Sequence, residues 1–315
     1  MSYKVFSVVA ACALALTAAS AQAQAVPETE AAQLDDVIVL ARQAQVPIWE
    51  VSRGDRSLIL VGSIRGVPRD LRWNPEALEA ATERADRILY PPESRVSPAD
   101  IIRLVWRGRN VASLPEGTTS ADFLDPTVQA RLETVMAGER NQDWRTRGFF
   151  LLGLDLMNDK AGFQRGGRDA VDAVRGAARR ARVPGESVGI VRGDEIVDNL
   201  LSQPPGTYAP CVAAGVGAAE VGPEGFDLRA EDWRARRVPE VIANPLDFAL
   251  SQCWPWGDPE IGQQLRGQWL TALSTALDQP GVTLAVAPLR LLAEPGGVLD
   301  GLEAQGFEVV GPEWK

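Results

Sequence analysis

Two apolar-rich runs, residues 46–51 (Val46-Pro47-Ile48-Trp49-Glu50-Val51) and 57–62, flank the turn Arg53-Gly54-Asp55. Short apolar runs on either side of a glycine turn predict a β-hairpin. The spacing then lengthens. Leu78, Ala81 and Ala85 fall on one face of a helix predicted over residues 71–85, with Pro75 in its first turn. Residues 87–90 (Arg-Ile-Leu-Tyr) predict a third strand, halted by Pro91-Pro92. Strands alternating with a helix at this spacing point to an α/β fold, a central sheet covered by helices.

From about residue 98 to 181 the pattern is helical, with candidate helices at 99–106, 125–137, 149–157 and 168–181, broken at 114–117 and 162–167. Residues 188–191 predict a strand and 195–201 a short helix ended by Pro204-Pro205. Residues 213–222 contain Gly215 and Gly217 but follow no clear strand and lack dinucleotide-loop spacing, so they read as small-residue packing or a loop. Trp254 and Trp256 flank Pro255 and read as a cap over a cleft, with a sugar-stacking platform as the alternative. An amphipathic helix over 261–277 carries Arg266 and Trp269; a strand at 282–287, a helix at 297–305 ending at Gly306 and a closing strand at 307–310 follow. Near the start, residues 35–41 (Asp-Asp-Val-Ile-Val-Leu-Ala) predict an edge strand.

Composition changes this picture at the N-terminus. Lys4, the apolar run at 5–16 and the small residues after it have the form of a secretory signal peptide over 1–25. Cys12 closes a lipoprotein-like box, but the apolar run before it is short. Residues 26–45 then form a leader and 46–315 a single α/β domain with the helical insertion at about 98–181. No later segment has the apolar length of a membrane span, so none is expected in the mature chain. The protein is expected in the periplasm or secreted, from a bacterium. Removing residues 1–25 leaves 31 basic residues against 42 acidic ones, a net charge of −11. With lysine only at Lys4, Lys160 and Lys315 and arginines dispersed among acids, no nucleic-acid surface is expected. Cys211 and Cys253 remain, and an even count in an oxidising compartment favours a disulfide; two buried thiols are the alternative.

There is no histidine in the 315 residues. Ser-His-Asp and Cys-His catalysis and a histidine zinc site are therefore excluded. What survives is carboxylate chemistry, either an oxygen-ligand metal site or a metal-independent two-carboxylate hydrolase, or no catalysis at all. One internal echo stands out: Val61-Gly62-Ser63-Ile64-Arg65 and Val286-Ala287-Pro288-Leu289-Arg290 each follow an apolar strand, turn through small or restricted residues and reach an arginine. Two such units at opposite ends of a chain predict a mixed sheet built from two pseudo-symmetric strand-turn-helix halves, with both arginines at one cleft.

The hairpin PIWEVSRGDRSLILVGSIRGVP, the helix with ALEAATERADRILY, the phrase LPEGTTSADFLDPTVQARLE and the ending VAPLRLLAEPGGVLDGLEAQGFEVV together resemble the TraB/GumN family, relatives of the Tiki metalloproteases. The resemblance implies a fold shared with ChaN-type and erythromycin-esterase-type proteins. It also implies a divalent metal held by a histidine in each motif and a glutamate after the first helix. Carried over, the histidines fall on Arg65 and Arg290 and the glutamate on or next to Pro91. The first motif glycine is kept as Gly62, followed by Ser63, while the second is Ala287. A family arginine on the late helix is retained as Arg266, and a middle-strand glutamate falls near Val191.

A guanidinium keeps its proton and has no lone pair to offer a metal, so no metal and no cofactor are expected. Two guanidinium groups ~5 Å apart repel by about 3 kcal/mol at an effective dielectric near 20. A negative group should sit between them, either an internal acid (Glu93, Asp70 or Glu294) or a bound anion. Three readings of the arginines stand: carbonyl caps or solvated groups, an internal salt-bridge cluster, or a cleft that takes a small anion or peptide end. The expected function is a degenerate, non-catalytic family member, with Arg65, Arg290, Arg266, Glu93 and Glu294 as ligand-binding candidates. A hydrolase using Glu93 and Glu294 is the alternative.

Overall fold

The computed structural model describes residues 36–315 except 96, 164, 165 and 254; the expected signal peptide, Cys12, the first half of the leader and Trp254 lie outside the described residues. The predicted hairpin is present: β1 (Ile48–Arg53) and β2 (Arg56–Ser63) pair antiparallel, Trp49 opposite Leu60 and Val51 opposite Leu58. It forms one side of a five-stranded mixed sheet in the order β1-β2-β7-β3-β5. There β3 (Arg87–Tyr90), β5 (Gly185–Ser187) and β7 (Gly281–Pro288) all pair in parallel. Strand β7, from the far end of the chain, enters between β2 and β3. Both β2 and β7 are buried almost throughout, because helices cover the two faces of the sheet. This is the α/β fold with a mixed central sheet and flanking helices that the apolar pattern predicts.

The helix Pro75–Arg84 starts as its sequence demands: Asn74 caps it by accepting the Ala77 N–H, proline occupies the first turn, and Ala77, Leu78 and Ala81 face the core. Four expectations need correction. Residues 36–42 are helical, with Val37, Ala41 and Ala44 in the main core, so their β-branched run does not make an edge strand. Residues 213–221 belong to the helix Ala209–Val221, with Gly222 after its end, which excludes the loop and bears out the small-residue packing: a Cβ on Gly215 would meet the Gly153 carbonyl oxygen at 3.3 Å. The strand expected at 188–191 is the short β6 (Ile190–Arg192), paired with β4 (Glu93–Arg95) outside the main sheet, while β5 precedes it and ends at Ser187. The closing strand at 307–310 is reduced to a single bridge, Glu50 to Val310.

The core falls into three apolar clusters. The largest surrounds the sheet and holds Trp49, Trp233 and Trp269. A second lies among helices around Leu132, Phe149, Leu152 and Val212. The third contains Met157, Phe226 and Leu246 together with the disulfide Cys211–Cys253, which ties the helix Ala209–Val221 to the end of the helix Pro245–Gln252. Among the described residues no helix is long and apolar enough to cross a membrane.

Candidate functional site

Strands β2 and β7 run in step, Gly62 opposite Ala287 and Ser63 opposite Pro288. The two arginine turns therefore leave the sheet side by side at its carboxyl edge, where open α/β sheets present ligands. The Ser63 hydroxyl stitches them by donating to the Ala287 carbonyl at 2.9 Å. Gly62 is demanded by close approach: a Cβ there would stand 2.5 Å from Leu289 Cδ1 and 3.2 Å from Trp49 Cζ3. From above, the helix Pro223–Arg234 holds the first turn at both ends. Trp233 Nε1 donates to the Gly62 carbonyl and Arg229 Nη1 to the Arg65 carbonyl, each at 2.7 Å.

The turns open into a cavity of about 600 Å3, and Ser63, Arg65, Pro91, Arg266, Arg290 and Glu294 all line it. Gly62 and Ala287 are buried just beneath, in their strands. Glu93 lies elsewhere, on a separate cavity of about 350 Å3 beside Tyr90 and Ser187. Val191 is buried in β6.

The two motif arginines meet different surroundings. Arg290 Nε donates to Asp247 Oδ2 at 2.9 Å, and its Nη2 donates to the Ile242 carbonyl. The other oxygen of Asp247 takes the Arg229 Nε at 2.9 Å, with Arg229 only 2% exposed and Asp247 9%. The acid that pairs with Arg290 is thus Asp247, shared with Arg229, and not Glu93, Asp70 or Glu294. Such a buried triad holds because each oxygen and each inner nitrogen has a partner; a lone buried charge there would be costly. Glu294 instead pairs with Arg266 at 2.6 Å, part-exposed on the cavity wall. Arg65 is exposed, and its guanidinium carbon lies 4.9 Å from the centre of the Trp256 ring, a cation–π contact at the cavity. Trp256 lines the cavity, as the expected cap does.

Asp169 and Asp258 also line this cavity, and both cap helices that begin at its wall. Burial pushes the Asp169 carboxyl above the usual carboxylate range, against the pull of the Asp172 N–H it accepts. Sequence reading missed Asp247 and Arg229. Asp247 stands three residues after Asn244 in an Asn-Pro helix start and reads as an ordinary first-turn acid; nothing local points to its partners across the fold.

The donors at the positions where the resemblance places a metal do not fit one. Arg65 and Arg290 offer N–H groups and no lone pair. Among the described residues no group of three or more histidine, cysteine, aspartate or glutamate side chains is arranged to hold a metal ion. A family model described as the TraB/PrgY/gumN family matches residues 47–310. The chain belongs to that family. No curated protein and no solved structure matches this TraB/PrgY/gumN chain. The matched span runs from the residue before β1 to Val310, which bridges back to Glu50, so it takes in the whole sheet and the central cavity.

Proposed function

We propose that this TraB/PrgY/gumN protein is an exported, non-catalytic member of its family whose central cavity binds a small anion or the carboxylate end of a peptide. The observation that carries this reading is Arg65 at the cavity, with its guanidinium over the Trp256 ring, at a position where the family resemblance expects a metal-binding imidazole. A guanidinium on an aromatic face presents a planar fork of N–H donors that suits a carboxylate or phosphate bidentately. Arg290 serves this site indirectly: held by Asp247 and the Ile242 carbonyl, it fixes the second turn. Export is supported by the disulfide, a bond characteristic of oxidising compartments.

Two measurements test this on the purified protein. Titration with acetate and with a short peptide should show binding that weakens about tenfold in Arg65→Gln, the loss of one charge-assisted hydrogen-bonding group. Elemental analysis should find no stoichiometric metal, and tightly bound zinc, manganese or iron would end the reading. A carboxylate hydrolase is the second reading, favoured by the raised Asp169 carboxyl on the same cavity as Glu294. Glu93, the partner the sequence suggests for Glu294, lines the other cavity. Turnover abolished by Asp169→Asn and by Glu294→Gln alike would establish it over the first.

A further inference from the structure

The helix Ala170–Ala181 and its flanks carry arginines on two sides, and the two sides are treated differently. Arg168 and Arg180 face the helix Pro75–Arg84 and are ion-paired there: both reach Glu79, and Arg180 also reaches Glu83 at 3.3 Å. Arg175, Arg179 and Arg182, spaced four and three residues apart on another face, line the smaller cavity together. Among the described residues none of these three has a carboxylate within ion-pair distance. In a chain of net charge −10, where most arginines on the surface find an acid, three on one face without one are a departure that calls for a cause.

The cavity wall opposite is built to keep them company without neutralising them. Tyr90 lies under Arg175, the guanidinium carbon 5.6 Å from its ring centre. Burial raises the Tyr90 phenol above its ordinary value, and Arg175 and Arg179 pull it back, so the hydroxyl stays neutral and able to donate at working pH. Ser187 adds a second hydroxyl. Gly185 keeps the floor open, since a Cβ there would sit 2.7 Å from Tyr90 Cε2 and 3.0 Å from the Ile88 carbonyl oxygen. Among the described residues Glu93 is the only carboxylate lining the cavity, so the ionised walls carry three positive charges against one negative. A dianion balances that excess; a monocarboxylate does not.

We propose that the cavity formed by Arg175, Arg179 and Arg182 against Tyr90 and Ser187 is a binding site for a phosphate group, distinct from the central cavity at Arg65. Guanidinium forks with hydroxyl donors beside them are the groups that hold a phosphate's oxygens. The inference does not depend on what the central cavity binds, although Arg175 contributes to the wall of both.

The test uses the whole protein and two sources of the same chemistry: inorganic phosphate by calorimetry at low salt, and sedimentation with vesicles containing phosphatidic acid, whose phosphomonoester can carry two charges. The key variant combines Arg179→Gln with Arg182→Asn, asparagine being chosen because Arg182 has φ of +60°. Both side chains are exposed, so the fold should survive, and circular dichroism verifies it. Removing two charge-assisted donors should weaken phosphate binding about a hundredfold, while Arg180→Gln leaves it near the starting value. Loss of inorganic-phosphate binding in the double variant assigns a free phosphate, and loss of vesicle binding assigns a lipid headgroup. The proposal fails if the unmodified protein ignores both probes, if the double variant binds as well as the parent, or if Arg65→Gln alone removes the binding.

Discussion

Arg65 and Arg290 end equivalent strand-turn units on neighbouring parallel strands, yet one is a bolt and the other faces the cavity. Arg290 gives its donors to a buried carboxylate and a backbone carbonyl, while Arg65 has its own carbonyl held by Arg229 and its guanidinium over an aromatic ring. The helix Pro245–Gln252 delivers Asp247 to the second turn and to Arg229. A repeated motif therefore sets where a side chain starts; the element packed against it sets what the side chain does.

That contrast can be broken most severely at Asp247. Asp247→Ala strands Arg229 and Arg290 in the interior and should cost about 5 kcal/mol, the upper range for opening a buried ion pair, read by urea unfolding. A slightly smaller loss should follow removal of the disulfide by Cys211→Ser with Cys253→Ser. The bond closes a loop of 42 residues' separation, for which the chain-entropy account gives about 4 kcal/mol. The same bond anchors the end of the helix that carries Asp247, so the double variant should also loosen Arg290. Comparing the arginines directly, Arg290→Gln should cost about 2 kcal/mol, because Asp247 keeps Arg229. Arg65→Gln should cost about 1 kcal/mol, the scale of an exposed cation–π contact, with its larger effect appearing in anion binding. Equal losses of stability at the two positions would erase the distinction.

The smallest effect has the opposite sign. Since burial raises the folded-state pKa of Asp169, its contribution to stability is complete below the unfolded value, about 3.9, and is lost as pH rises through the folded value. Asp169→Asn keeps the cap and removes that loss. A modest rise in melting temperature at pH 7 that disappears below about pH 4 is expected, followed by thermal scans across that range.

The frame of the molecule was readable from its amino acids where local pattern and tertiary setting agree. The hairpin, Pro75 and Asn74 at a helix start, the long helix now seen as Pro259–Leu277 and the buried run of β7 all carry their own instructions. The echo of the two turns led to one cavity because parallel neighbours bring like ends together. Legibility failed where partners are distant in sequence. Asp247 is 18 residues from Arg229 and 43 from Arg290, and no periodicity reports such a meeting. It failed also where composition misleads: the β-branched residues at 37–39 sit in a helix because Val37, Ala41 and Ala44 fit the core at helical spacing. Glycines at 215 and 217 did not prevent a helix whose neighbours demand small residues.

The return of the chain to its own hairpin has a consequence for how molecules meet one another. Strand β1 lies at the border of the sheet, and Glu50 exchanges both backbone hydrogen bonds with Val310 at 2.9 Å, while Trp49 Nε1 donates to the Pro312 carbonyl and Trp314 packs edge-on against the Trp49 ring. An uncovered border strand offers unpaired amides to any other chain with a free edge. The final residues shield that border, so the tail guards against fibre-like stacking of one copy on the next.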